Sequence, residues 1–201
     1  FDKGGFVTDL ARLIAVPTES QKPESRHILM EYLTDILQPE FENMGFSCEL
    51  VPEMLEKQGP SLIAERIESP DYVTVLLYGH GDVVDGYAAQ WSDGLDPWKA
   101  EIREGAIYGR GTADNKGQHW INISALRMVL AQKGALGFNC KFIVEMGEEV
   151  GSPGLTHLCE TYKERLQADF LIASDGPRIV KEKPSVILGS RGSILFDLTV
   201  N

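Results

Sequence analysis

The sequence predicts an α/β fold, a mixed and mostly parallel sheet with helices on both faces. Three observations carry the prediction. Short β-rich runs alternate with segments of helical periodicity. The run at 72–78 is near-continuously apolar, as suits a strand buried on both sides of a parallel sheet. Acidic residues and a histidine fall just beyond successive strand-like runs, the edge where α/β sheets bind ligands.

In chain order, helical spacing predicts helices at 6–15 and 24–44, the second with Ile28, Leu29, Tyr32, Leu33, Ile36 and Leu37 as its apolar stripe. Strands follow at 48–51, 61–66 and 72–78, the last running up to His80. Residues 81–111 are rich in Gly, Asp, Trp and Pro, a long excursion of the kind that forms binding loops. A helix at 117–133 should bury Ile121, Ala125, Met128 and Val129 and stop at Gly134. A strand at 140–145, a helix at 155–166 and a strand at 170–173 continue the alternation, with further strands near 186–188 and 194–200. Such an order places helices over the faces of one sheet.

Composition narrows the function. With 201 residues, 43% of them hydrophobic and 24% charged, the chain can bury a real core. A formal charge of −11 with scattered Lys and Arg argues against a nucleic-acid partner, because phosphate binding needs clustered cations. No apolar run approaches the roughly 20 residues that span a bilayer. Cys48, Cys140 and Cys159 are odd in number and far apart, which fits free thiols better than a disulfide framework. A cytoplasmic location is expected, with a periplasmic one left open.

Six positions could carry chemistry. His80 and Asp82 sit two apart after a strand, so in extended backbone they project to one side, one to bind a metal and one to support it. Asp114 stands before a helix, where it could cap backbone N–H groups or bridge two cations. Glu148 and Glu149 are adjacent acids past a strand; their repulsion is relieved by a cation or by solvent. Asp175 precedes Gly176-Pro177 and could equally make an Asx-turn. Jointly they describe an oxygen-rich site with one imidazole, the chemistry of zinc, with Mn²⁺ or Co²⁺ as substitutes. The glycine stretches match neither the dinucleotide fingerprint nor a P-loop: Gly109-Arg-Gly111 continues Thr-Ala-Asp, and Asn115-Lys116-Gly117 has the wrong order.

These motifs resemble the di-zinc aminohydrolases, the family of carnosinase and other metallodipeptidases, glutamate carboxypeptidase, aminoacylase, acetylornithine deacetylase and succinyl-diaminopimelate desuccinylase. The likeness runs through YGHGDVV at 78–84, Trp91 to Trp98, YGRGTADNKG at 108–117 and EMGEEVGS at 145–152. It implies that His80 and Asp175 hold one Zn²⁺, Glu149 a second, and that Asp114 bridges them. Asp82 would orient His80, and Glu148 would be the general base on a water activated between two zinc ions. It also implies a cis peptide at Asp114-Asn115 and hydrolysis of an amide bond in dipeptides or N-acyl amino acids. Asp175, Asn115-Lys116 and the segment 183–192 look most like the dipeptidase branch, with Arg191 a candidate contact to a substrate carboxylate.

The resemblance further implies that residues 1–188 are the N-terminal part of a catalytic domain and 189–201 the start of an inserted lid and dimerisation domain. The parent would be a homodimer through the inserted domain, and the part of the chain returning from it would supply the last histidine ligand of the second zinc. A chain without them would be a poor catalyst. The alternative is a non-catalytic metal-binding or scaffolding relative. His119 is expected to be a packing or surface histidine, and His27 and His157 carry no signal.

Overall fold

The computed structural model describes residues 4–53, 59–92, 94–176, 180, 183, 185–189, 192 and 198–199. The first helix, α1 (Gly5–Ile14), buries Leu10, Leu13 and Ile14 at one-turn spacing, and Pro17 follows soon after its end. The helical stretch foreseen at 24–44 is continuous but not uniform. It runs through a 3₁₀ turn at Pro23–Ser25, α2 (Arg26–Glu31), a π-helical stretch at Tyr32–Leu37 and α3 (Gln38–Asn43). Pro39 cannot donate to the carbonyl four residues back, which accounts for the widened turn just before it. Leu29, Tyr32, Leu33, Leu37 and Phe41 all face inward.

The main sheet has the order β1-β2-β6-β3-β7, from β1 (Ser47–Val51), β2 (Ser61–Arg66), β3 (Thr74–His80), β6 (Asn139–Glu145) and β7 (Phe170–Ala173). β3 pairs parallel to both β6 and β7, whereas β2 is antiparallel to β1 and β6. Four strands therefore share one direction and β2 alone opposes them. Every residue of central β6 is buried. Its alternation divides the core: Phe142 and Val144 join Leu13, Leu33, Phe41 and Trp120 on one face. Ile143 meets Leu158 and Leu166 on the other, beneath α5 (Leu155–Thr161). Helices thus cover both faces.

Three sequence expectations are corrected. The excursion at 81–111 contains a small hairpin, β4 (Glu101–Arg103) and β5 (Ala106–Tyr108), whose three-residue strands are too short for a periodic signal. α4 (Lys116–Lys133), ending at left-handed Gly134, does not bury the foreseen stripe. Ile121 and Met128 are exposed, and the inward residues are Lys116, Gly117, His119, Trp120, Ile123 and Leu126. The real stripe starts with polar residues, so an apolar count selects the wrong face. No strand forms at 185–189, where Val186, Ile187 and Leu188 are exposed and pair with no described strand. The strand near 194–200 falls almost wholly outside the described residues, as does Arg191.

Candidate metal centre

Because β3, β6 and β7 are parallel, their carboxyl ends meet at one edge. His80 ends β3 and pairs in register with Glu145, which ends β6. Tyr78 pairs with Ala173, so two residues further on Asp175 stands level with His80. Glu148 and Glu149 lie on a 3₁₀ turn (Glu148–Val150) just after β6. Asp114 comes from the segment leading into α4, and its peptide to Asn115 is cis.

The edge gathers all six foreseen side chains. His80 is fully buried, and its Nε2 lies 3.0 Å from Asp114 Oδ1 and 3.8 Å from both Glu148 Oε2 and Asp175 Oδ1. Its Nδ1 lies 3.0 Å from the Asp82 carbonyl oxygen and 3.3 Å from Asp82 Oδ1. Asp82, also fully buried, accepts from the backbone N–H of Glu148 through Oδ1 (3.2 Å) and of Glu149 through Oδ2 (3.1 Å). Asp82 therefore fixes the turn that presents both glutamates as well as the imidazole. Asp114 caps nothing: its side chain is 65% exposed and turned to His80, and Asn115 occupies the cap position without a side-chain cap bond.

Crowding of charge is visible in the proton affinities. Burial, and then the charge of Asp114, pushes the Glu149 carboxyl up to about 7. Burial likewise raises Glu148, with Asp175, Asp82 and Asp114 adding to it. Burial works against a charged His80, yet the carboxylates of Asp175 and Asp82 prevail and raise it to about 11. Asp175 is lowered, chiefly by His80. Glu149, its proton held to about 7 by burial and by the Asp114 charge, is a carboxyl that a nearby cation would ionise.

Two sets of donors could each hold a metal ion, His80 with Glu148 and Glu149, and His80 with Asp114 and Asp175. Their atoms lie within 4.8 Å of one another in each set. An imidazole nitrogen with several carboxylates fits zinc or a similar divalent ion.

Sequence reasoning missed the residues behind the site. Asn115 Oδ1 accepts from the His80 N–H at 3.3 Å, while its Nδ2 donates to the Ser174 carbonyl at 2.6 Å and to Asp175 Oδ1 at 3.2 Å. Thr18 Oγ1 donates to the Gly81 carbonyl at 2.7 Å. Lys116 is buried, with Nζ 2.9 Å from the Leu13 and 2.6 Å from the Val16 carbonyl oxygens, and burial lowers it to about 7. His119 is packed as expected, but onto the site itself, 2.9 Å from the His80 carbonyl oxygen; burial lowers it to about 3. The available signal was polar residues on the inward face of the first turn of α4. His27 and His157 are exposed.

The profile of Peptidase family M20/M25/M40 matches residues 76–188. Beta-Ala-His dipeptidase of Homo sapiens is 34% identical over 212 residues, covering 97% of this chain and 40% of that protein. Succinyl-diaminopimelate desuccinylase of Wolbachia pipientis is 30% identical over 185 residues, covering 90% of this chain and 43% of that protein. Among solved structures, human carnosine dipeptidase 1 superposes with a TM-score of 0.78 at 31% identity, over 87% of this chain and 39% of that one. The chain spans about two-fifths of the length of these relatives. A match that runs through every strand end contributing to the donor cluster, with a third of nearly all residues identical, settles the lineage: the chain belongs to peptidase family M20/M25/M40.

Proposed function

We propose that the protein carrying this chain is a zinc-dependent hydrolase of the amide bond in dipeptides or N-acyl amino acids. The observation that carries this reading is the convergence of two donor sets on His80, one with Asp114 and Asp175 and one with Glu148 and Glu149, with Asp114 bonded to the His80 Nε2. A carboxylate so placed suits a bridge between two ions, with His80 and Asp175 on one and Glu149 on the other. The printed names of the relatives, a Beta-Ala-His dipeptidase and a succinyl-diaminopimelate desuccinylase, support the substrate class. Mn²⁺ or Co²⁺ would substitute for Zn²⁺ in the same donors.

The ions, when bound, would polarise the amide carbonyl and make water a stronger nucleophile. Glu148 has the place of the general base: it stands at the rim of the cluster, 3.8 Å from His80 Nε2, and burial raises its carboxyl above the ordinary value. It takes the proton of the attacking water and returns it to the leaving amine. Asp82 keeps Nδ1 of His80 engaged, leaving Nε2 for a metal.

In this reading residues 1–188 form part of the catalytic domain and 189–201 open an inserted domain through which the whole protein dimerises. Among the described residues no helix is long and apolar enough to cross a membrane. Three free thiols support a reducing compartment, the cytoplasm. The test is dipeptide hydrolysis by the full-length protein before and after chelation. Loss of turnover with recovery on adding Zn²⁺ is expected; turnover indifferent to the chelator overturns the proposal.

A further inference from the structure

His80 is flanked by glycines because other elements press against its backbone. A Cβ on Gly79 would stand 2.7 Å from Cβ of His119, and one on Gly81 would stand 2.7 Å from Cε1 of Tyr32. Neither distance is tolerable between carbon atoms. His119 and Tyr32 thus pack directly behind the presumed metal ligand, and both are fully buried.

Their polar atoms form a line. His119 Nδ1 is 2.9 Å from the carbonyl oxygen of His80, and His119 Nε2 is 2.9 Å from the hydroxyl of Tyr32. A carbonyl can only accept, so Nδ1 must carry the hydrogen. With Nδ1 protonated in a neutral ring, Nε2 is bare and must accept from the Tyr32 O–H. The direction of every hydrogen follows: Tyr32 donates to His119, and His119 donates to His80. On its other side Tyr32 is gripped by Lys116, whose Nζ lies 4.9 Å from the ring centre. Tyr32 opens the π-helical stretch, the helical irregularity most often found at functional sites.

We propose that Tyr32 and His119 are positioning residues for the metal centre. The His80 carbonyl fixes the Nδ1–H tautomer of His119, Tyr32 supplies the donor that the bare Nε2 then needs, and the ring so held keeps the His80 main chain in place with its imidazole aimed at the metal position. Neither residue touches metal or substrate. This inference rests on the reading of His80 as a metal ligand and extends the supporting shell one step past Asp82. Outer partners of metal-binding histidines typically change metal affinity by about 10- to 100-fold. Without the Tyr32 hydroxyl the bare Nε2 would be buried without a partner, and the ring would hold the His80 carbonyl less firmly.

The experiment uses the full-length protein and four variants: Tyr32→Phe, His119→Leu, His119→Asn and, as a control, Leu33→Val. Zn²⁺ affinity is measured by chelator competition, and the His119 tautomer by ¹⁵N NMR of the imidazole in the metal-free protein. The asparagine amide can donate from near the place of Nδ1, whereas leucine cannot. Expected are a Zn²⁺ affinity about 10- to 100-fold lower in His119→Leu, recovery to within about threefold in His119→Asn, and about tenfold weaker binding in Tyr32→Phe with the Nδ1–H tautomer retained. Leu33→Val should lower the unfolding temperature without changing affinity. Equal losses in the leucine and asparagine variants, or an Nε2–H tautomer in the unaltered protein, overturn the proposal. Should Tyr32→Phe fail to fold, the His119 pair and the NMR assignment decide alone. If the unaltered protein binds no Zn²⁺, the functional reading fails instead, and the tautomer measurement still judges the hydrogen-bond line.

Discussion

Asp82 holds Glu149 by its backbone, the Oδ2 atom accepting the Glu149 N–H at 3.1 Å while Oδ1 accepts that of Glu148 at 3.2 Å. One buried carboxylate therefore ties the strand that ends at His80 to the turn that carries both glutamates. Asp82→Asn keeps the shape but sets its amide NH₂ against one of the two backbone donors, leaving its oxygen for the other. It should cost about 1–3 kcal/mol of stability and about 10- to 100-fold in metal affinity, read by thermal unfolding and Zn²⁺ competition.

Glu148→Gln removes a base and leaves a side chain of the same size. Turnover of a dipeptide by the full-length protein should fall by about a hundredfold or more, while metal content measured by atomic emission equals that of the unaltered protein. Unchanged turnover would remove Glu148 from the proton-transfer step.

The pH dependence has a definite sign. Glu149 ordinarily loses its proton near 4.5 but in the fold keeps it to about 7, so between those values the folded state holds a proton that the unfolded chain has shed. Stability of the metal-free protein should fall as pH rises through that window. His80, raised to about 11, acts in the same direction above its ordinary 6.5. Metal needs the deprotonated carboxylate, so the rise in melting temperature on adding Zn²⁺ should grow over the same window. Calorimetry across pH checks both trends, and Glu149→Gln should flatten them.

Two glycines of one helix predict unequal costs. A Cβ at Gly117 would lie 1.9 Å from the Thr112 carbonyl oxygen, a backbone atom that cannot swing away. Gly117→Ala should therefore cost about 3 kcal/mol or more. Gly134, with φ +75° and open space around it, ends α4, and Gly134→Ala should cost only about 1 kcal/mol. Denaturant unfolding of the two variants compares them directly.

The mixed sheet and the gathering of His80, Asp114, Glu148, Glu149 and Asp175 were legible because strand ends are marked locally, by an apolar run giving way to Gly and acids. The support behind them was not. His119 reaches His80 across 39 positions and Tyr32 reaches His119 across 87, and no local period records such pairings. The inward face of α4 was misjudged for the same cause. Lys116 and His119 face inward to serve backbone carbonyls, so hydrophobic content alone points elsewhere.

β7 lies at the end of the strand order, and all four of its residues are exposed, Phe170 and Leu171 among them. Only Ser174 separates its last residue from Asp175. Among the described residues no strand pairs with the outer edge of β7, so whatever covers Phe170 and Leu171 also comes to lie beside the short span that leads to Asp175.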